Sequence, residues 1–420
     1  MSVIVVGLNH RTVPLEILER MTVSDAHLPK ALHDLASRNN LSEAVVLSTC
    51  MRTEIYAVAD KYHGAVQDVR NFLSELGFTA PEDFTDHLYS FHDDAAIGHL
   101  FRVASGLDSA VLGEGEVLGQ VKHAWDRARD EGAAGPVLSA LFRHAVEVGK
   151  RARAETAISR GTTSVSQAAV QMAARRLGSL DGRSILVLGA GDMGEGIAVA
   201  LSSSAAGSRV LVANRTWTKA KAVAKKVGGE AIDFGSLAAA LEDVDVVLTT
   251  TGSPSVLIEA SDVAGVMDSR ERDLLIVDIA VPRDVDPAVR RLEGVTLLDM
   301  DDLRTFAEAG IAGRRGEITK VEAIIAEEVQ RFVDESTARE AAPLVAALRD
   351  RAEQVRQAEL ARLGARLEGL DDRQRQAVEA LTRGIVNKLL HEPTVRLKDA
   401  AGSPRGESLA AALRALFDLE

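Results

Sequence analysis

The sequence predicts a multidomain chain with three zones: an α+β region first, a doubly wound α/β region second, and an all-α region last, entered through a long helix. Three observations carry this. Short β-rich runs mix with helical ones early in the chain. Continuous apolar runs separated by helix-length stretches follow. From about residue 301 onward apolar residues recur at helical steps almost without a proline. The division is 1–156, 157–300 and 301–420, within the two to four domains of roughly 100–200 residues expected of 420 residues.

In the first zone the runs 3–8, 44–48 and 53–58 read as strands, and 14–21, 26–36, 66–76, 95–104, 117–130 and 137–155 as helices. Between the second and third strands a polar break, Ser48-Thr49-Cys50-Met51-Arg52-Thr53-Glu54, holds the chain's one cysteine beside an arginine. In the middle zone 184–188, 209–213, 245–249, 274–278 and 295–298 are apolar runs of the kind buried on both faces of a parallel sheet. In the last zone Ile318, Val321, Ile325 and Phe332 follow helical spacing, and Pro343 is the first proline after Pro287. A helix over 303–341 would be about 60 Å long. Two more amphipathic helices follow, carrying Leu360, Leu363, Leu367 and Leu370, then Val378, Leu381, Ile385 and Leu389. A last one lies near 409–416. Long helices with such stripes and few aromatics suit a homodimer, although a monomeric bundle would show the same spacing.

Composition narrows the function. The hydrophobic fraction of 46% with 26% charged residues is that of a globular protein. One cysteine permits neither an internal disulfide nor a cysteine-based zinc site, and no metal centre is expected. The opening run lacks a basic segment before it and reads as a strand, and no apolar stretch approaches the ~20 residues of a spanning helix. A reduced, cytoplasmic protein is expected. The net charge is -13, and the three segments 1–160, 161–300 and 301–420 carry -6, -4 and -3, so no basic domain is hidden. A general DNA binder is excluded. One local exception, Arg143 to Arg160, gathers Arg143, Lys150, Arg151, Arg153 and Arg160 against Glu147 and Glu155, a pattern that also fits a solvated helix face.

Gly189-Ala190-Gly191-Asp192-Met193-Gly194 fits G-x-G-x-x-G, directly after an apolar run and before a helix-like stretch. In that context the first glycine permits the tight turn, the second lets backbone approach a pyrophosphate, and the third lets helix and strand pack. At the end of the next strand stand Asn214-Arg215-Thr216, with Lys219 and Lys221 behind, where NAD sites place a carboxylate. An arginine there accepts a 2′-phosphate, which favours NADPH. NADPH cannot reduce a free carboxylate but can reduce a thioester. Cys50 could form one by attacking an activated acyl group, with Arg52 as a nearby cation. A lone cysteine is also a common inert core filler, and spacing does not separate the two. His99, on the run His99-Leu100-Phe101-Arg102-Val103-Ala104-Ser105-Gly106-Leu107-Asp108-Ser109, and the stretch Gly113-Glu114-Gly115-Glu116, ending at Gln120, supply further polar candidates.

Taken together these stretches resemble glutamyl-tRNA reductase. The likeness also covers Gly7–Thr12, Leu118–Lys122, Asp278–Asp284 and Ile385–His391, so it runs nearly end to end. The resemblance implies that Cys50 attacks the ester of glutamyl-tRNA(Glu), releases the tRNA, and leaves a thioester that hydride from NADPH converts to glutamate-1-semialdehyde, the first step of tetrapyrrole (porphyrin) synthesis. It implies His99 as an assisting histidine and Thr49, Met51, Arg52, Ser109, Glu114, Gly115, Glu116 and Gln120 as substrate-facing, with Arg52 on the glutamate carboxylate. It implies a catalytic domain, an NADPH domain and a helical dimerisation domain on a spinal helix. A docking glutamate-1-semialdehyde aminomutase is a further implied partner.

The sequence departs from the family at Met51, where asparagine is usual, and at Gly115-Glu116, where Pro-Gln is usual. The first removes an amide from the loop beside the cysteine. The second removes a rigid proline and adds a carboxylate on the substrate side. Two other readings share the residues: an NADPH-dependent reductase of a small activated acid, and a non-enzymatic dinucleotide-sensing dimer with a structural Cys50.

Overall fold

The computed structural model describes residues 2–159, 164–308, 315–401 and 404–419. Two compact units divide the chain, Met1–Ala326 and Glu327–Glu420. The first opens with β1 (Ser2–Asn9), α1 (Leu15–Arg20), α2 (Leu28–Ala36), β2 (Leu41–Thr49), β3 (Arg52–Ala59), α3 (Tyr62–Gly77), β4 (Tyr89–His92), α4 (Asp94–Ala104), α5 (Glu116–Asp130) and α6 (Pro136–Glu155). Their strands make one antiparallel sheet in the order β2-β3-β1-β4. β3 is buried along its whole length, because β1 and β2 flank it and helices cover the sheet.

The β2–β3 pairing runs down to Thr49 opposite Arg52, which makes Cys50-Met51 the two-residue turn of a tight hairpin. The polar break seen in the sequence is therefore a hairpin tip. Along β3 the residues Arg52, Glu54 and Tyr56 share one face, as the period of two requires.

The parallel sheet follows, with α7 (Val165–Leu177), β5 (Ser184–Leu188), α8 (Asp192–Ser204), β6 (Arg209–Ala213), α9 (Trp217–Val227), β7 (Glu230–Ile232), α10 (Leu237–Asp243), β8 (Val246–Thr249), α11 (Ala260–Asp268), β9 (Leu274–Asp278), β10 (Val295–Leu298) and α12 (Met300–Glu308). The order β10-β9-β8-β5-β6-β7 reverses at β5, so a switch point lies between β5 and β8. The glycine motif follows β5 there. β4 and β7 escape the sequence reading because Tyr89-Ser90-Phe91-His92 and Glu230-Ala231-Ile232 are short and carry polar residues, whereas the equally short β8 and β10 show as apolar runs.

The helical part holds α13 (Arg315–Arg362), α14 (Gly364–Leu367), α15 (Asp372–Ala400) and α16 (Pro404–Phe417). The expected helix over 303–341 is corrected at both ends. Residues 303–308 belong to α12, 309–314 lie outside the described residues, and α13 continues through Pro343. An interior proline costs a hydrogen bond, about 3 kcal/mol. Burial outweighs that here, because Leu344 and Val345 follow at once and pack in one cluster with Leu397, and Leu348 is buried a turn further on. The expected helix bearing Leu360 to Leu370 is split instead between the end of α13 and the short α14. On α15 the expected stripe exists, and Leu381, Ile385 and Leu389 are exposed at 64%, 51% and 70% in the single chain. No helix among the described residues is long and apolar enough to cross a membrane.

Candidate active site

Thr49, Cys50, Met51, Arg52, Ser109, Glu114, Glu116 and Gln120, from separate stretches of sequence, line one narrow cavity with Val117 and Val165. A wider cleft adjoins it, sharing Glu116 and Gln120 and reaching Gly115, Asp192 and Met193. The end of β2 at Val46, Leu47 and Ser48, just before the hairpin tip, and the start of the dinucleotide helix thus border a common cleft. Thr49 Oγ1 accepts from the Met51 N–H at 3.1 Å, which closes the turn that presents Cys50.

The Met51 side chain is buried in an apolar cluster with Ala110, Val111, Val165 and Ala168. Methionine suits this apolar side of the site, although Met51 also lines the polar cavity of Cys50. The Met51 carbonyl accepts from the His10 N–H at 2.9 Å, and the His10 carbonyl accepts from Arg304 Nη1 at 2.8 Å. A second clamp joins Arg283 to Glu19, both Nε and the backbone N–H at 2.9 Å from Oε1. Together they tie the hairpin to α12 and α1 to the loop after β9.

Arg52 is fully buried. Its Nη1 donates to Glu54 Oε1 at 2.5 Å and Asp108 Oδ2 at 3.0 Å, and Nη2 donates to the Asp108 carbonyl at 2.5 Å. A grip on a substrate carboxylate would have to share the guanidinium with these groups. Glu54, which sequence reasoning missed, is the hub: it also accepts from Tyr56 and Tyr89 hydroxyls at 2.6 and 2.5 Å and meets His99 Nε2 at 2.9 Å. Burial works against its charge, yet Arg52 and His99 hold its carboxyl well below the usual range. His99 does not line the Cys50 cavity. It packs against the stacked Tyr89 and Phe91, and its Nε2 meets Glu54, which in turn accepts from Arg52. Glu54, His99 and Asp108 bring ligand atoms within 4.8 Å of one another, but the Arg52 guanidinium bridges the two carboxylates, and a divalent cation would sit against it.

Burial, then Glu114 and Glu116, push the Cys50 thiol up to about 12, with Arg52 pulling the other way. Arg52 alone therefore does not make a thiolate. Glu114 is buried and pushed up to about 7 by burial and Glu116. Its carbonyl is held by Arg153 Nη2 at 2.7 Å, while Arg153 Nη1 holds the Ala104 and Gly149 carbonyls at 2.8 Å. Arg153 thus serves the active-site loop and leaves the basic cluster, and Arg151 pairs with Glu155 at 2.9 Å. Arg143, Glu147 and Lys150 form an exposed face of α6, and Arg160 lies outside the described residues.

The dinucleotide loop has the shape of a phosphate cradle. A Cβ on Gly191 would meet open space, so the backbone there is approachable, whereas one on Gly194 would lie 2.1 Å from the Gly189 carbonyl oxygen. Gly189 has φ +115, which only glycine adopts freely. Asn214 Oδ1 accepts from the Ala190 N–H at 3.2 Å and Asn214 Nδ2 donates to the Thr216 carbonyl at 3.1 Å, coupling loop and strand end; Arg215 and Thr216 are exposed. Across β8 and β9, Asp278 accepts from the Thr249 hydroxyl and from three backbone N–H groups, which shapes the loop 278–285. Burial and Asp284 push its carboxyl up to about 7.

Residues 6–156 match the family described as glutamyl-tRNAGlu reductase, N-terminal domain, and 320–419 match its dimerisation domain. A glutamyl-tRNA reductase from Trichlorobacter lovleyi is 42% identical over 421 residues, covering 100% of this chain and 97% of the relative. The chain belongs to the glutamyl-tRNA reductase family. Another member, from Frankia alni, is 40% identical over 454 residues and covers 100% and 96%. The solved glutamyl-tRNA reductase from Methanopyrus kandleri is 36% identical, covers 99% of each chain and aligns with a TM-score of 0.53. The family performs the first committed step of tetrapyrrole synthesis, and neither the small-acid nor the non-enzymatic reading finds support. Residues 171–306 match shikimate / quinate 5-dehydrogenase, which supports a nicotinamide cofactor in this domain.

The Glu54 hub yields one prediction. Glu54→Gln leaves the buried Arg52 short of its counter-charge and should cost about 3–5 kcal/mol, read as a lower urea midpoint; a loss below about 1 kcal/mol would remove the hub from this role.

Proposed function

We propose that the protein reduces glutamyl-tRNA(Glu) to glutamate-1-semialdehyde with NADPH, through a thioester on Cys50. The observation that carries this reading is the cavity gathering Cys50 with Thr49, Arg52, Ser109, Glu114, Glu116 and Gln120 beside the cleft that reaches Asp192 and Met193. Thr49 shapes the turn, and Arg52, which lines the cavity, would meet the glutamate carboxylate by sharing the guanidinium that Glu54 and Asp108 already engage. His99 acts on that charge through Glu54. The aminoacyl end also carries an ammonium next to its ester carbonyl, so the extra carboxylate of Glu116 has a cation to face.

A bound nicotinamide supplies the hydride. Gly189–Gly194 would hold its pyrophosphate, and Asn214, Arg215 and Thr216 the adenosine end. Arg215, with Lys219 and Lys221 near, supports NADPH over NADH because the 2′-phosphate needs a cation. We retain the domain limits 1–156, 157–300 and 301–420, with the last forming the homodimer through its exposed α15 stripe. The reading places the enzyme in the cytoplasm with its tRNA substrate. A docked aminomutase would shield the labile aldehyde product.

In an assay of purified protein with glutamyl-tRNA and NADPH, semialdehyde should form, and Cys50→Ser should reduce it to background while NADPH still binds. Turnover with a free glutamyl thioester but never with glutamyl-tRNA would sink the tRNA reading. Arg215→Ala should weaken NADPH binding roughly 10- to 150-fold, the worth of about 1.5–3 kcal/mol for a charged hydrogen bond, and leave NADH binding unchanged; equal losses for both would argue against a 2′-phosphate contact. Leu381→Asp combined with Leu389→Asp should give a monomer by light scattering, and an unaltered dimer would move the seam elsewhere.

A further inference from the structure

The Cys50 cavity presents a thiol that needs a base, and the two expected helpers are committed elsewhere. His99 lies outside the cavity with Nε2 on Glu54, and the Arg52 guanidinium is divided between Glu54 and Asp108. Burial and the two carboxylates hold the thiol at about 12, so thiolate is scarce near neutral pH. Glu114 lines the same cavity. Its Oε2 is buried and makes no hydrogen bond, and Arg153 fixes its backbone. A carboxylate that lines the thiol's own cavity with one buried oxygen unpartnered is placed to serve as a general base.

We infer that Glu114 takes the proton of Cys50 as the sulfur attacks the aminoacyl ester, and then hands it to the leaving ribose oxygen. The inference rests on Cys50 being the nucleophile. The S–H proton moves to the Glu114 carboxylate while the sulfur–carbon bond forms. The carbonyl electron pair moves to oxygen. As the adduct collapses, the carbon–oxygen ester bond breaks and the departing oxygen takes the proton from Glu114. The thioester, a free tRNA hydroxyl and a restored carboxylate result, with no oxidation or reduction in this half.

The charged and titratable groups facing Glu114 are Glu116, whose anion raises its proton affinity, and Arg52 and Arg153, which lower it, with Ser109 also lowering it. Glu116 is itself held up by burial and by Asp192 at the start of α8. The carboxyl at about 7 is ionised in roughly equal measure with its acid form near neutrality, which suits a group that both accepts and returns a proton.

Cys50 is the chain's only cysteine, so alkylation by iodoacetamide reads this thiol alone. Glu114→Gln removes a neighbouring anion, so alkylation at pH 8 should speed up, while single-turnover release of tRNA from glutamyl-tRNA should fall roughly 10²- to 10⁴-fold. A merely structural Glu114 would not move the two in opposite directions. Glu116→Gln keeps the test alive if the first variant does not fold: the acid limb of the single-turnover rate should move to lower pH, because Glu114 loses the anion that holds it up. Undiminished tRNA release by Glu114→Gln, or an unmoved acid limb in Glu116→Gln, overturns the proton transfer alone. A wild-type protein that is alkylated at Cys50 yet releases no tRNA overturns the nucleophile reading, and this inference with it.

Discussion

The buried ion pair between Arg52 and Glu54 organises the catalytic half of the molecule. Neither charge could stand in the interior by itself, since an unpaired buried ion costs several kcal/mol. Both lie on one face of β3, two residues apart, so the strand's own period brings them together. The pair then recruits what surrounds it. Tyr56, Tyr89 and His99 satisfy the remaining lone pairs of Glu54, and Asp108 meets the other side of Arg52 with Arg11 at 2.8 Å behind it. Through these contacts β3, β4, α4 and the loop at 105–109 share one polar column that ends two residues from Cys50.

That column explains why the nucleophile's environment is divided. Arg52 lines the thiol's cavity with its charge already engaged by Glu54 and Asp108, while the carboxylates of Glu114 and Glu116 line the same cavity without such a partner cation on their oxygens among the described residues. The pocket raises the thiol's proton affinity, so its activation needs a base. The two departures from the usual family residues divide in the same way. Met51 faces an apolar cluster, where it packs. Glu116 faces Glu114 on one side and Asp192 on the other, where it sets the electrostatics of both the catalytic loop and the entrance to the dinucleotide helix.

Much of this was legible in the sequence. The six helices of the first zone were readable from their period and the five core runs of the parallel sheet from their unbroken apolar residues, within a few residues. The glycine motif was readable because its chemistry is local: a turn, a close approach and a helix start within six residues. Pro343 misled the reading, because local propensity says stop while the packing of Leu344 and Val345 with Leu397, far along the chain, says continue.

The sequence by itself determined the fold class, the cysteine, the loop that cradles phosphate and the acidic charge that rules out a general nucleic-acid binder. Only the tertiary structure decided which charges meet. Arg52 reads as a free cation on paper and is a shared, buried one in the fold. Glu54 reads as one more strand residue and collects four donors. The physical reason is that pairing, burial and proton affinity depend on distances between residues far apart in the chain, and sequence spacing carries no information about those distances.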